Sequence, residues 1–155
     1  MPCTPEASAD CVPDPEFEPT ELLYRRYARE HVDASGGVRP QSFRFPYLSV
    51  NRAKYSTPTH VIHRHCSDGK DRSSWGVHSL VVSDVTDTTY DLQNDRREFK
   101  FYLKHVPELL CKAHSEVHCR EDPAGVDVEP PPSVRNRIRI LLSQRAKYII
   151  RPKED

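Results

Sequence analysis

The clearest alternation of hydrophobic and polar residues in the chain spans residues 98–104. Phe99, Phe101 and Leu103 lie at every second position of this segment, and polar or amphipathic residues stand between them. Because successive side chains of a strand point to opposite faces of a sheet, this spacing predicts a strand with one buried face. The segment 74–85 is rich in valine and predicts a second strand.

The segment 109–120 fits either a strand or a helix. As a strand, it places a row of small and apolar side chains on one face, and these are Leu109, Cys111, Ala113, Ser115, Val117 and Cys119. As a helix, with Pro107 near its start, it groups fewer such residues, namely Leu110, Ala113, His114 and Val117. The alternating pattern accounts for more positions, and we therefore predict a strand.

Two segments carry the start signals of helices. Thr57 followed by Pro58 is typical of an N-cap and a first helical position, which predicts a helix over residues 58–66. Ser133 follows three prolines and is the predicted N-cap of a longer helix over residues 133–148. Apolar residues recur in this second helix at helical spacing, and they are Val134, Ile138, Leu141 and Leu142. The sequence thus predicts two principal helices.

The remaining signals concern turns and the start of the folded region. Gly36 and Gly37 predict a turn, and Pro46 interrupts the aromatic-rich segment 42–50. An element that fits either a strand or a short helix begins near Leu22. Together with the elements above, these features predict a single α+β domain over residues 20–155, built on a small, mostly antiparallel sheet.

Composition changes this picture mainly at the two ends of the chain. The protein has 155 residues, of which 36% are hydrophobic and 14 are prolines, and its 23 basic residues balance 23 acidic ones. The first 24 residues hold six acidic residues and no lysine or arginine, whereas residues 133–153 hold seven basic residues and no acidic one. We therefore predict that residues 1–19 form a disordered, acidic, proline-containing tail, and that the domain ends in a basic helix.

The same composition excludes several classes of protein. The chain has no apolar run long enough to span a membrane, and neither heptads nor a glycine repeat indicates a coiled coil or a collagen-like fibre. Zero net charge argues against attraction of the whole protein to nucleic acid or to a membrane. The five cysteines are an odd number and the first residues lack the pattern of a secretion signal, so we expect a cytoplasmic protein with reduced thiols.

Histidine and cysteine residues form two clusters of the side-chain types that bind zinc. The first comprises His60, His63, His65 and Cys66, and the second comprises Cys111, His114, His118 and Cys119. In a strand, His114 and His118 would lie about 13 Å apart, too far to share one ion. Neither cluster has the Cys-x-x-Cys spacing of structural zinc sites. We therefore interpret them as solvated histidines and small buried cysteines, and we expect no metal and no cofactor.

Two kinds of enzyme are alternatives to a binding protein. A zinc-dependent hydrolase would use the histidine and cysteine clusters, and a cysteine nucleophile would be Cys66 or Cys111 beside a histidine. An arginine on an early strand, followed by a serine and by Glu116, resembles the arrangement in ADP-ribosyltransferase-like enzymes. That resemblance implies that the arginine binds a cofactor phosphate by forked hydrogen bonds and that the glutamate activates the transfer.

The basic C-terminal helix is a candidate partner-binding surface. Arg135, Arg137 and Arg139 lie on its polar side, where they could contact an acidic protein or the phosphates of a nucleic acid. A solvated helix face explains the same residues without any partner. We expect no membrane partner, because the chain lacks a membrane-spanning run.

Several short motifs are distributed along the chain after residue 20. They are Leu23-Tyr24-Arg25-Arg26, Gly37 and Arg39, Ser42-Phe43, Leu48-Ser49-Val50 with Arg52, Trp75-Gly76-Val77, and Ala113-His114-Ser115-Glu116-Val117. In these motifs the chain resembles a family of small uncharacterised bacterial proteins. The resemblance implies that polar residues converge on one site, namely Arg25, Arg26, Ser42, Arg52 and His114. Since guanidinium groups bind carboxylate and phosphate in a forked geometry, we predict a binding or accessory module for an anionic ligand or a partner macromolecule.

Overall fold

Antiparallel strands are the main regular elements of the computed structural model, which describes residues 12–63, 69–93, 95–108 and 111–154. The strands in these ranges are β1 (Leu22–Tyr27), β2 (Leu48–Arg52), β3 (Gly76–Val81), β4 (Thr89–Asp91), β5 (Glu98–His105), β6 (His114–Asp122), β7 (Val126–Asp127) and β8 (Lys147–Ile150). The helices are α1 (Pro58–His63), α2 (Val82–Thr86) and α3 (Pro132–Arg145). An α+β fold with an antiparallel sheet is therefore confirmed.

All of these strands belong to one sheet in the order β4-β5-β6-β2-β1-β3-β8, and β7 pairs with the far end of β6. The pairing places Leu23 opposite Arg52, and Arg25 opposite His78. Directly opposite residues share a face, and side chains alternate along a strand, so these four residues lie on one face, which we call the core face. Arg26, the neighbour of Arg25, lies on the other face, which we call the outer face.

Helices cover parts of both faces of the sheet. On the core face, Val85 of α2 and Ile138 of α3 join buried sheet residues such as Val117 in the main hydrophobic core. On the outer face, Val61 of α1 packs against Val77 of β3 in a smaller cluster. Burial of apolar surface on both sides stabilises the sheet at about 25 cal/mol per Å². Because side chains of the two faces point in opposite directions, the sheet separates polar residues of the core face from those of the outer face.

The strands that the sequence predicts from alternation are present. β5 covers the predicted segment, and its Phe99 and Phe101 are buried. β6 confirms the strand interpretation of the segment 109–120 from residue 114 onward. Residues 111–113 form an isolated bridge and a turn instead, and residues 109 and 110 lie outside the described residues. The predicted strand over residues 74–85 is shorter than expected, because α2 begins at residue 82, where the Asp84 carboxylate accepts a hydrogen bond from the Val81 amide at 2.8 Å.

Two principal helices are not confirmed. α1 is described as far as His63, and residues 64–68, which hold the predicted end of this helix, lie outside the described residues. Among the described residues, only α3 has seven or more residues. No helix in the described ranges is both long enough and apolar enough to cross a membrane.

The observed limits of α3 differ from the predicted ones at both ends. The helix begins at Pro132 rather than after Ser133, because a proline in the first turn loses no hydrogen bond that the helix would otherwise make. It ends at Arg145 rather than Tyr148. Residues 147–150 instead form β8, whose backbone pairs with β3. Sheet pairing over these last residues outweighs their local helical pattern.

Residues 14–19, which the sequence assigns to the tail, pack against the sheet. Phe17 contacts the main hydrophobic core, and the Asp14 amide donates a hydrogen bond to Nδ1 of His105 in β5 at 2.8 Å. The packed part of the chain therefore begins before Thr20. Residues 1–11 lie outside the described residues.

Candidate anion-binding site

Arg25 lies on the core face in β1, and its side chain is partly buried. Its Nε donates to the carbonyl oxygen of Ser49 at 2.9 Å, and its Nη2 donates to that of Ser42 at 3.0 Å. Its Nη1 makes two longer contacts, each of 3.4 Å, to the Ser42 hydroxyl and to Nε2 of His78. All of these acceptors are uncharged, and the Nη1 edge is the most loosely held part of the guanidinium.

No carboxylate of the described residues compensates the charge of Arg25. Among the described residues it forms no ion pair. Burial lowers the pKa of Arg25 to about 10, and the positive charge of Arg44 adds to this effect. The guanidinium stays protonated at neutral pH, so the protein holds a partly desolvated cation beside a second cation. Such a charge is costly unless an anion balances it.

Three further arginines lie around the turn at residues 42–44. Arg139 of α3 donates through Nε to the carbonyl oxygen of Phe43 at 2.7 Å, and Arg39 donates through Nε to the carbonyl oxygen of Val32 at 2.9 Å. Arg44 follows Phe43 and is exposed. None of the three forms an ion pair with a carboxylate of the described residues. We call this set the arginine cluster, and its members are Arg25, Arg39, Arg44 and Arg139.

The positive charge of the arginine cluster acts on a neighbouring histidine. Burial lowers the pKa of His31, and the charges of Arg44, Arg25 and Arg39 lower it further, against an opposing effect of Glu30. Because one imidazole is affected by three guanidinium groups, these arginines lie close enough to act together. In Arg39 and Arg139, Nε donates to a backbone carbonyl oxygen, so the Nη atoms of both side chains can donate to other acceptors.

His78 lies beneath Arg25 and is fully buried. Its ring contacts the rings of Tyr27 and Phe43 edge-on, with centroids 5.3 Å away in each case. Burial, and after it the charge of Arg25, lowers the pKa of His78 well below its ordinary value. Since Nε2 accepts from Arg25, the proton of the neutral ring is on Nδ1, and this atom has no hydrogen-bond partner. The polar groups under the arginine cluster are therefore incompletely satisfied.

Arg52, another predicted ligand-binding residue, is engaged by the chain itself. Its side chain is 1% exposed, and Glu21 accepts from its Nε and Nη2 at 3.0 and 3.1 Å. The carbonyl oxygens of Asp14 and Glu16 accept from Nη1 and Nη2, and the ring of Phe17 lies 3.9 Å from the guanidinium. These contacts occupy both edges of the guanidinium, so Arg52 serves to hold the segment 14–21 on the sheet.

Arg26 and His114 lie on the outer face. Arg26 donates to the carbonyl oxygen of Ile62 in α1 at 3.4 Å. His114 lies opposite Asn51 in β2, and its Nδ1 donates to the carbonyl oxygen of Val106 at 2.9 Å. The structure therefore brings Arg25 and Ser42 together and separates both from Arg26 and His114. The sheet itself is the barrier, because adjacent residues of β1 point to opposite faces.

The predicted partner-binding arginines of α3 have different surroundings. Arg135 lies 3.7 Å from the Glu129 carboxylate, and Arg137 lies 3.9 Å from that of Asp91. Arg139 turns instead to the loop at Phe43. Acidic residues of the chain thus offset part of the charge of Arg135 and Arg137, whereas Arg139 adds its charge to the arginine cluster.

The structure does not bring together the described residues that the two enzyme alternatives require. Glu116 is opposite Ser49 and occupies the outer face, whereas Arg25 occupies the core face. The Cys111 thiol is buried and donates to Oδ1 of Asn51 at 3.3 Å. Within the described residues no group of three histidine, cysteine or acidic side chains could hold a metal ion. Two residues of the first predicted cluster, His65 and Cys66, lie outside the described residues.

Sequence reasoning missed three residues of this site. Arg39 and Arg44 flank Ser42 closely, and the density of basic residues in the segment 39–44 is a signal that could have indicated them. His78 carries no such signal, because its place beside Arg25 depends on the register between β1 and β3. Pairing of distant strands is not readable from local pattern.

Comparisons with protein-family models, with curated proteins and with solved structures find no match to this chain. The resemblance to a family of small bacterial proteins therefore stays a prediction. A function for this chain has to follow from the chemistry of its site rather than from a relative.

Proposed function

We propose that this protein is a binding module that recognises an anionic group, of the carboxylate or phosphate type, at the arginine cluster. The observation that carries the proposal is that Arg25, although partly buried, has only neutral hydrogen-bond acceptors among the described residues. Arg52, by contrast, is paired with the Glu21 carboxylate and a backbone carbonyl, as expected of an arginine with a structural role.

The geometry of Arg25 suits an incoming oxyanion. Its Nη1 contacts of 3.4 Å to Ser42 and His78 are long for hydrogen bonds, so an oxygen with a full negative charge would replace them at little cost. The Ser42 hydroxyl is beside it and can donate to the same oxygen. An anion would therefore gain a charge-assisted bond from Arg25 and a neutral one from Ser42.

The exposed members of the cluster extend the positive field toward solvent. Arg39 and Arg44 are exposed, and neither has a carboxylate partner among the described residues. Such a field raises the local concentration of an anion and speeds its arrival. The site thus has exposed charges at Arg39 and Arg44 and a partly buried, hydrogen-bonded guanidinium at Arg25.

Isothermal titration calorimetry with inorganic phosphate and with citrate, at low ionic strength, tests this function. We expect binding to the natural chain and at least a tenfold loss in the Arg25→Gln variant. The matched control is Arg120→Gln, which removes an exposed arginine that is already paired with Asp122 at 3.2 Å. Equal binding by the Arg25→Gln variant, or no binding of either anion by the natural chain, would overturn the proposal.

Further arms of the same titration identify the source of the anion. An acidic peptide that binds more tightly than phosphate, and still requires Arg25, indicates a protein partner. An oligonucleotide whose binding requires Arg135 and Arg137 but not Arg25 would move the function to the basic helix and count against the proposal. Binding of NAD that requires Glu116 would likewise favour the ADP-ribosyltransferase-like alternative.

A further inference from the structure

A small cavity lies beside β6, between its two neighbouring strands. β6 pairs with β2 as far as Val117 and with β7 from Arg120 onward, so residues 118 and 119 border a gap between the two neighbouring strands. The gap forms a cavity of about 90 Å³. We call it the notch, and its lining includes Phe45, Pro46, Tyr47, His118, Asp127 and Pro130. Its volume suits one small head group rather than a whole drug-sized ligand.

Tyr47 forms an unusual wall of the notch. Its φ angle is 60°, in the left-handed region that a tyrosine rarely adopts, and its side chain is 60% exposed. The surrounding chain nevertheless holds the ring 4.9 Å from the ring of His118. The centre of the Tyr102 ring lies 5.6 Å from that of the same imidazole. A strained residue that presents an exposed aromatic ring over a cavity is typical of a binding site.

Negative charge surrounds these aromatic rings. Asp127 accepts a hydrogen bond from the Tyr102 hydroxyl at 2.6 Å and forms no ion pair among the described residues. Glu116 accepts from Nε2 of His118 at 3.1 Å. Glu129 is 63% exposed at the rim, where Arg135 lies 3.7 Å away. The notch therefore combines ring faces with carboxylates.

We propose that the notch binds an alkylammonium group, either as a free quaternary ammonium ion or as a lysine or methylated lysine side chain. The negative face of an aromatic ring attracts such a cation, and Asp127 supplies a full opposite charge. The apolar walls at Phe45, Pro46 and Pro130 suit methyl or methylene groups around the nitrogen. This site is independent of the arginine cluster, since its ligand has the opposite charge.

Titration of the full chain with choline, followed by the amide signals of Tyr47 and His118 in NMR spectra, tests the proposal. We expect saturable shifts in the millimolar range and none with 3,3-dimethyl-1-butanol, the neutral isostere of choline. Tyr47→Phe should retain binding, because it keeps the ring. Tyr47→Gly should fold, because glycine accepts a positive φ, and it should bind at least fivefold more weakly. Asp127→Asn should weaken binding in the same direction.

Several outcomes would overturn the proposal. They are equal shifts with choline and its neutral isostere, undiminished binding by Tyr47→Gly, or no shift at saturating choline. Tyr148→Ala is the matched control, because Tyr148 is 48% exposed and lies on β8, outside the notch. A peptide with trimethyl-lysine that binds more tightly than choline would identify a protein side chain as the source, and tighter binding of choline would identify a free amine.

Discussion

Arg52 and Arg25 lie on the same face of the sheet in neighbouring strands, and their electrostatic surroundings are opposite. Arg52 is 1% exposed and forms a two-pronged ion pair with Glu21. Arg25 is partly buried, and among the described residues it hydrogen-bonds to carbonyl groups, a hydroxyl and an imidazole, while its guanidinium lies 5.1 Å from the centre of the Phe43 ring. Burial of an arginine is therefore a poor sign of function by itself. The informative feature is whether the chain provides an anion for the buried cation.

The two regions also differ in what holds them together. The Arg52 region is closed by the segment 14–21, which supplies two carbonyl oxygens and the ring of Phe17 in addition to Glu21. The Arg25 region borders the loop 39–44, where Arg39 and Arg44 are exposed and have no carboxylate partner among the described residues. The contacts of the first region stabilise the fold, whereas the second carries the proposed binding site.

The largest expected effect separates the two arginines by stability. Arg52→Gln should lower the free energy of unfolding by about 3–5 kcal/mol, because it leaves the Glu21 carboxylate, which is only 10% exposed, without its partner. Arg25→Gln should cost only about 1–2 kcal/mol, because the loss of neutral hydrogen bonds is partly offset by removal of a desolvated charge. Urea denaturation of both variants gives the comparison.

Glu18→Gln is the control for this pair of variants, since Glu18 is exposed and precedes Glu21 closely. It should change the free energy of unfolding by less than about 0.5 kcal/mol. Equal destabilisation by Arg52→Gln and Arg25→Gln would contradict the distinction between a structural arginine and a ligand-binding one.

A smaller effect tests whether the segment 14–19 belongs to the folded domain. Phe17→Ala should lower the free energy of unfolding by about 2 kcal/mol, because the partly buried ring packs on the core and on Arg52. Val12→Ala is the matched control, because Val12 is 66% exposed. Unchanged stability of Phe17→Ala would return this segment to the disordered tail that the sequence predicts.

Much of the sheet is predictable because one buried face imposes alternation on a strand. Phe99 and Phe101 mark β5 in this way, and the same logic favours a strand over a helix at residues 114–120. The segment 14–19 escapes such reasoning. Its acidic and proline-containing composition predicts disorder, yet Asp14 finds a partner 91 residues away at His105. Contacts of that range depend on topology rather than on local composition.

The sequence predicts the kind of ligand for the candidate site, but it does not predict which residues form the site. Arginines beside a serine indicate an anion-binding site, and Arg25 does contact Ser42. Arg26 cannot join them, because it is the next residue of a strand and points to the other face. That exclusion requires knowing that residues 22–27 form a strand, whereas their pattern also fits a short helix. His78 enters the site only through the register of β3.

Acidification should lower the free energy of unfolding, because each region contains a histidine whose pKa is lowered in the folded protein. Burial lowers the pKa of His78 near Arg25 and of His105 beside Asp14, so unfolding raises each toward about 6.5. As the pH falls, these histidines bind protons in the unfolded chain before they do so in the folded one. Their contribution to the free energy of unfolding is therefore complete above about pH 6.5 and decreases below it. For the fully buried His78 the loss between pH 7 and pH 5.5 should be about 1 kcal/mol.

Urea denaturation at the two pH values measures this loss, and His78→Gln should remove the share that belongs to His78. A natural chain whose stability is the same at pH 7 and pH 5.5 would contradict the lowered pKa values. A His78→Gln variant that keeps the full pH dependence would move the effect to the Arg52 region, where His105 lies.

The smallest effect on stability, and the sharpest test of the arginine cluster, concerns Arg44. Arg44 is exposed, so Arg44→Gln should change the free energy of unfolding by less than about 0.5 kcal/mol. It should weaken phosphate binding about threefold at low salt, because its charge contributes to the field without a positioned contact. Salt screens exposed charges over about 10 Å at 0.1 M. The difference between Arg44→Gln and the natural chain should therefore vanish at high salt, while Arg25→Gln stays impaired because it lacks the direct donor. Calorimetric titrations at two salt concentrations measure both variants, and an Arg44→Gln defect that persists at high salt would place Arg44 in direct contact with the anion.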